Sequence, residues 1–163
     1  MRTSQKGIDL IKKFESLHDG DLSTIGLQPK MCPAGIWTSG WGNAIVYNGK
    51  FLRGAENKDL AYAIGTVKDI KEADLQLAKN LLKFERIVSS KLKVKVNQNQ
   101  FDALVSHTYN TGGSNGLFKL INESADSDAI YAWFTTKYIT ANGVRLRGLV
   151  NRRKAEADLF FSK

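Results

Sequence analysis

Eight of the chain's fourteen glycines, at positions 20, 26, 35, 40, 42, 49, 54 and 65, crowd into residues 17–66. Each glycine inside a helix or strand costs about 0.5–1 kcal/mol relative to alanine, so a segment interrupted this often cannot carry a long helix. Short β-branched and aromatic runs lie between the breaks. Ile45-Val46-Tyr47 and Lys50-Phe51-Leu52 flank Asn48-Gly49, a strong signal for a two-residue hairpin turn. This part of the chain reads as a small β-containing lobe over about 17–68.

Helical periodicity holds on both sides of it. Ile8, Leu10, Ile11, Phe14 and Leu17 recur at helical spacing behind Ser4, a candidate N-cap, and predict a helix over 4–16 with Glu15 in its last turn. Helix C-termini favour cations, so a carboxylate there calls for a reason. Asp69, with Glu72 three residues on, opens a long helix over about 69–92, whose face is carried by Ala78, Leu81, Leu82, Glu85 and Val88. Asn97 and Gln100 form a second reciprocal cap. Phe101, Leu104, Val105 and Thr108 follow as a stripe that ends at Gly112-Gly113. Shorter amphipathic patterns cover 127–136 and 149–161. The helical lobe is therefore residues 93–163 plus the N-terminal helix.

A chain of 163 residues holds a single domain with its own core. Its one cysteine excludes an intramolecular disulfide framework. Behind Met1-Arg2-Thr3-Ser4-Gln5-Lys6 there is no apolar h-region, and no run approaches a membrane span. These features predict synthesis in the cytoplasm without a signal peptide or membrane anchor. The formal charge of +8 favours a polyanion, whether nucleic acid, acidic lipid or bacterial wall polymer.

Four blocks occur in order: Phe14-Glu15, then Cys32-Pro33-Ala34-Gly35-Ile36-Trp37-Thr38-Ser39-Gly40-Trp41-Gly42, then Asn97-Gln98-Asn99-Gln100-Phe101-Asp102-Ala103-Leu104-Val105-Ser106, and last Gly148-Leu149-Val150-Asn151-Arg152-Arg153-Lys154-Ala155-Glu156. Together they resemble the phage-type lysozymes (endolysins) of glycoside hydrolase family 24, over almost the whole chain. The resemblance implies an α+β, lysozyme-like fold, with a small β-containing lobe and a larger helical lobe joined by a long helix around a cleft. It implies a muramidase that hydrolyses the bond between N-acetylmuramic acid and N-acetylglucosamine in peptidoglycan and acts on the wall after release. The catalytic roles fall on Glu15, Cys32 and Thr38, and substrate-binding or orienting roles on Arg152, Trp37, Trp41 and Asn110. A monomer without cofactor, metal or nucleic-acid partner is expected. Two departures stand out. Glu15 and Cys32 lie further apart than the family spaces them, which an insertion around residues 18–30 accounts for, and Asn43 replaces the family's frequent histidine.

Glycoside cleavage needs a proton for the leaving oxygen and, in an inverting enzyme, a base about 6.5–9.5 Å away with room for a water. Glu15 is the candidate acid, with Arg152 brought near to orient it. A thiol with an ordinary pKa of about 8.5 is a less obvious base than an aspartate. Cys32 could still accept a hydrogen bond from a water that Thr38 orients, and Asp19 and Asp21 are spare carboxylates. Blander readings stand beside these. Trp37 and Trp41 fit core packing as well as sugar stacking, and Arg145, Arg147, Arg152, Arg153 and Lys154 fit a solvated basic face. His18 and His107 show no metal-ligand spacing. The competing functions are a lytic transglycosylase, a Cys32–histidine thiol hydrolase of wall peptides, and a non-catalytic basic wall-binding protein.

Overall fold

A computed structural model describes residues 1–163, which divide into two compact units: Glu15–Asn80, and Met1–Phe14 with Leu81–Lys163. The first is the mixed unit. Its three-stranded antiparallel sheet runs β1 (Lys30–Met31), β2 (Trp37–Ser39), β3 (Asn43–Ala44) in that order, with Thr38 paired to Lys30 on one side and Ala44 on the other. All three residues of β2 are buried. A hairpin follows from β4 (Val46–Tyr47) to β5 (Lys50–Phe51), with Val46 opposite Phe51. Its turn holds Asn48 at φ 49° and Gly49 at φ 75°, the two positive angles that a type I′ turn demands and that Asn-Gly supplies.

Trp37, Ile45, Leu52 and Ala61 form a buried cluster of this unit, with Leu60 and Tyr62 against it. Ala61, Leu60 and Tyr62 come from α2 (Lys58–Gly65), a helix absent from the sequence expectation. It is only two turns long and sits in the glycine-broken segment, so its apolar spacing is too short to register.

The second, helical unit contains α1 (Gln5–Glu15) up to Phe14, α4 (Gln98–Thr111), α5 (Asn115–Asn122), α6 (Ser127–Thr136) and α7 (Arg147–Phe160). The reciprocal cap at Asn97 and Gln100 is present, and α4 stops at Gly112 in the left-handed conformation, φ 80°. Phe101, Leu104, Val105, Leu117, Phe134 and Phe160 are among its buried residues. Between α6 and α7, β6 (Thr140–Ala141) and β7 (Val144–Arg145) make a second Asn-Gly hairpin, with Asn142 at φ 50° and Gly143 at φ 77°.

The linking helix is α3 (Ile70–Lys91), whose first half belongs to one unit and second half to the other. Its cap is reciprocal but offset by one residue: Asp69 Oδ1 accepts from the Glu72 N–H at 2.9 Å, and Glu72 Oε2 accepts from the Lys68 N–H at 2.8 Å. The buried stripe is Ala73, Leu77, Leu81, Glu85 and Val88. Ala78, expected on this face, is exposed. Glu85 keeps its place among apolar residues because its carboxylate accepts from Thr3 N and Oγ1 and from Arg2 Nη1, at 2.8–2.9 Å. Ser4 departs from expectation as well: its hydroxyl and its N–H both donate to the Asp102 carboxylate, so the side chain ties α1 to α4 instead of capping its own helix.

Candidate active site

Glu15 is the last residue of α1, half-buried, and it overlooks a depression of about 570 Å³ in the mixed unit. Glu15, His18, Asp19, Lys30 and Cys32 all line it. Cys32 follows directly on β1, where the sheet turns: its N–H donates to Ile36 O and its carbonyl accepts from Gly35 N–H, both at 2.8 Å. The turn holds the half-buried thiol on the same side as Glu15. Thr38, on the central strand, joins the group through its hydroxyl, which donates to Lys30 O at 2.8 Å and lies 3.1 Å from His18 Nδ1.

Gly42 stands against the acid. At φ 78° it occupies the left-handed region, and a Cβ built there would lie 3.1 Å from Glu15 Cδ and clash with Oε2. The glycine is thus required twice, by the backbone and by the carboxylate. Gly42→Ala is expected to cost about 1–2 kcal/mol of stability from the backbone alone and to lower turnover by displacing Glu15. Urea denaturation and rate measurements on one preparation check both effects.

Burial holds the His18 imidazole below its ordinary range, with the Lys30 charge acting in the same direction; the Glu15 charge and the hydrogen bond to the Glu15 carbonyl oppose them. In the sequence His18 has no metal-ligand spacing and is left as one of the two histidines that could pair with Cys32. The one signal in the sequence is its position three residues after Glu15. The carboxylates of the insertion serve the loop itself. Asp19 Oδ1 accepts from the N–H groups of Asp21 and Gln28, at 3.2 and 3.3 Å. Asp21 is held below the usual carboxylate range by the Ser23 and Thr24 hydroxyls and the Ser23 N–H.

Trp37 and Trp41 take different places. Trp37 is 6% exposed, donates Nε1–H to Gly54 O at 2.7 Å and meets Tyr62 edge-on; its ring is committed to the core and has no face open for a sugar. Trp41 is half-buried, with Nε1–H donated to Asp74 Oδ1 on α3 at 2.7 Å. At the position where the family often has histidine, Asn43 Oδ1 accepts from Asn80 Nδ2 at 2.6 Å.

Arg152 and Asn110 belong to the helical unit. Arg152 is 3% exposed, with Nε donating to Glu156 Oε1 at 3.1 Å and Nη2 to Ser106 O at 3.3 Å, and its guanidinium faces the Phe14 ring. Asn110 Oδ1 accepts from Arg153 Nη2 at 2.8 Å. Arg153 and Glu156 are fully buried, so the basic run splits: Arg145, Arg147 and Lys154 are exposed, while Arg152 and Arg153 are core residues. Arg153 Nη1 lies 2.7 Å from His107 Nδ1. A guanidinium can only donate, so Nδ1 is the acceptor and the imidazole proton sits on Nε2. The 3.2 Å approach of Glu156 Oε2 to the same nitrogen is then a contact without a shared proton. Burial lowers the His107 pKa, in keeping with a neutral ring. Burial would raise Glu156, but the guanidiniums of Arg153 and Arg152 beside it hold the carboxyl below its usual range.

No group of three histidine, cysteine or acidic side chains is arranged to hold a metal ion, and no helix is long and apolar enough to cross a membrane.

A helix-terminal acid set against a glycine-turned sheet, in a chain that folds as a mixed unit and a helical unit, is the arrangement of lysozyme-like proteins. The phage lysozyme family model matches residues 21–156, and the chain belongs to that family. It is 30% identical over 168 aligned positions to an endolysin from Acyrthosiphon pisum secondary endosymbiont phage 1, covering 99% of both chains. It is 34% identical to the endolysin of Lactococcus phage c2 over 98% of its own length but spans only 60% of that longer relative. Among solved structures, the muramidase domain of SpmX from Asticaccaulis excentricus superposes with a TM-score of 0.72 at 26% identity, over 99% of both chains.

Proposed function

We propose that the chain is a peptidoglycan hydrolase of the muramidase type, cleaving the glycosidic bond between N-acetylmuramic acid and N-acetylglucosamine. Glu15 acts as general acid, and Cys32 and Thr38 position the water. The observation that carries this reading is the depression that brings Glu15 and Cys32 together beside the Thr38–His18 pair. Membership of the phage lysozyme family supports it, as do an endolysin relative of matching length and a muramidase domain of the same fold.

The charge of +8 suits an anionic wall and speeds encounter with it. We further infer that the chain works as a monomer, reaching the wall after its release.

Mass spectrometry of digested peptidoglycan tests the reaction. Reducing muramic acid ends are the expected product. Anhydro-muramic ends would assign a transglycosylase, cleaved peptides on intact glycan would redirect attention to Cys32, and unchanged wall would leave a binding protein.

A further inference from the structure

The depression that holds Glu15 also contains a histidine, a side chain suited to accept a proton from water, to which the family pattern gives no role. We propose that His18 is the general base of this site, taking the proton of the attacking water on Nε2 while Thr38 fixes the ring through Nδ1. The inference rests on the muramidase reading above and adds the group that completes it.

The Thr38 hydroxyl has a single proton. That proton is donated to Lys30 O at 2.8 Å, so the 3.1 Å contact with His18 Nδ1 requires the ring to donate and the Thr38 oxygen to accept. A neutral imidazole with its proton on Nδ1 carries its lone pair on Nε2, and the hydrogen bond to the Glu15 carbonyl falls to that same Nδ1–H. His18 is half-buried and lines the depression, so this lone pair belongs to a ring whose tautomer the central strand has already fixed.

The remaining titratable groups around the depression fit other duties. Glu15 is the acid. Asp19 is engaged by two backbone N–H groups of the insertion. Lys30 is an exposed cation that disfavours protonation of His18, and Cys32 lies at the turn after β1. Burial keeps His18 neutral near pH 7, against the pull of the Glu15 charge. A base must be unprotonated at the working pH, and this one is.

The step balances. Water gives one proton to Nε2 and its oxygen bonds to the anomeric carbon. The glycosidic bond breaks with its electron pair on the leaving oxygen, which takes the Glu15 proton. The imidazolium proton returns to the Glu15 carboxylate through solvent, and one water is consumed.

Two substitutions separate base from scaffold. His18→Asn keeps an N–H near the Nδ1 position to donate to Thr38 but has no lone pair at Nε2; His18→Gln removes the base from the other side of the ring. Both are expected to lower kcat about 100-fold or more, with KM changed less than about threefold. Both should also abolish the acidic limb of kcat/KM, which in the parent falls below the ordinary histidine value of 6.5. Wild-type turnover in His18→Asn would overturn the proposal and leave His18 as a prop for Thr38. Full turnover in both, with Glu15→Gln inactive, would overturn it while sparing the muramidase reading. An active Glu15→Gln would remove that reading and this inference with it. If a variant melts early, its residual activity decides: an acidic limb that survives overturns the proposal.

Discussion

Glu156→Ala is expected to cost roughly 3–5 kcal/mol of folding stability, out of a total of about 5–15 kcal/mol for a domain of this kind. The carboxylate is completely buried and accepts from Ser106 Oγ at 2.7 Å and Arg152 Nε at 3.1 Å. Its removal takes from two buried guanidiniums the carboxylate they share, and desolvation makes that far worse than losing a surface pair. The exposed Lys154–Asp158 pair at 2.7 Å is the matched control, since breaking it should leave the urea midpoint unmoved. A midpoint shift in Glu156→Ala no larger than in Asp158→Ala would refute the account.

The same cluster sets the acid response. His107 has a lower pKa folded than its ordinary 6.5, so the unfolded chain binds protons first and stability declines as pH falls through 6.5. Glu156 is held below its ordinary 4.5; its contribution is full above that value and is lost as pH falls further. Both groups bind more protons unfolded, so both act in one direction. Melting temperature should drop steadily from pH 7.5 to 4, with the first part of the decline in the histidine range, where the lowered His18 adds to it.

Glu15→Gln is expected to reduce turnover by about 1,000-fold, within the range general acids contribute, while moving stability by no more than about 1 kcal/mol. An amide keeps the shape of the side chain against Gly42 but has no proton to give at the required acidity. The carboxylate also sits in the last turn of a helix whose other last-turn charges are Lys12 and Lys13, where the helix dipole does not favour it. Activity lost without stability lost is the signature of a residue kept for chemistry. Comparable loss of both would recast Glu15 as a structural residue.

The features legible in the sequence are those with local causes. Asn48-Gly49 needs only its own two residues to make a turn, Asn97 and Gln100 cap each other across one turn, and Gly112 stops a helix alone. The buried face of α3 is half legible: the spacing marks Leu81 and Val88, but Ala78 fits the pattern as well as Leu77, and only packing separates them. Asn142-Gly143 carries the same signal as Asn48-Gly49 but lies between shorter apolar runs, so the pattern around it is too weak to predict the second hairpin. The positively charged run in α7 misled for a physical reason. Burial of Arg152 and Arg153 depends on Glu156, Ser106 and Asn110, and the two α4 partners lie more than forty residues away. Within the depression, Glu15 and Cys32 stood out by pattern, whereas His18 is defined by a hydrogen bond to Thr38 across the insertion.

The path of the chain has a consequence for how this protein is made. The mixed unit is one unbroken stretch, Glu15–Asn80, while the helical unit opens with Met1–Phe14 and resumes only at Leu81. A ribosome therefore delivers every side chain of the depression before most of the helical unit exists. The early helix α1 must wait: Asp102, which receives Ser4, and the Glu156 cluster, which closes the helical core, emerge far later. Synthesis thus runs ahead of assembly, and a nascent chain arrested before α7 would display its chemistry on a fold whose keystone has not yet been cut.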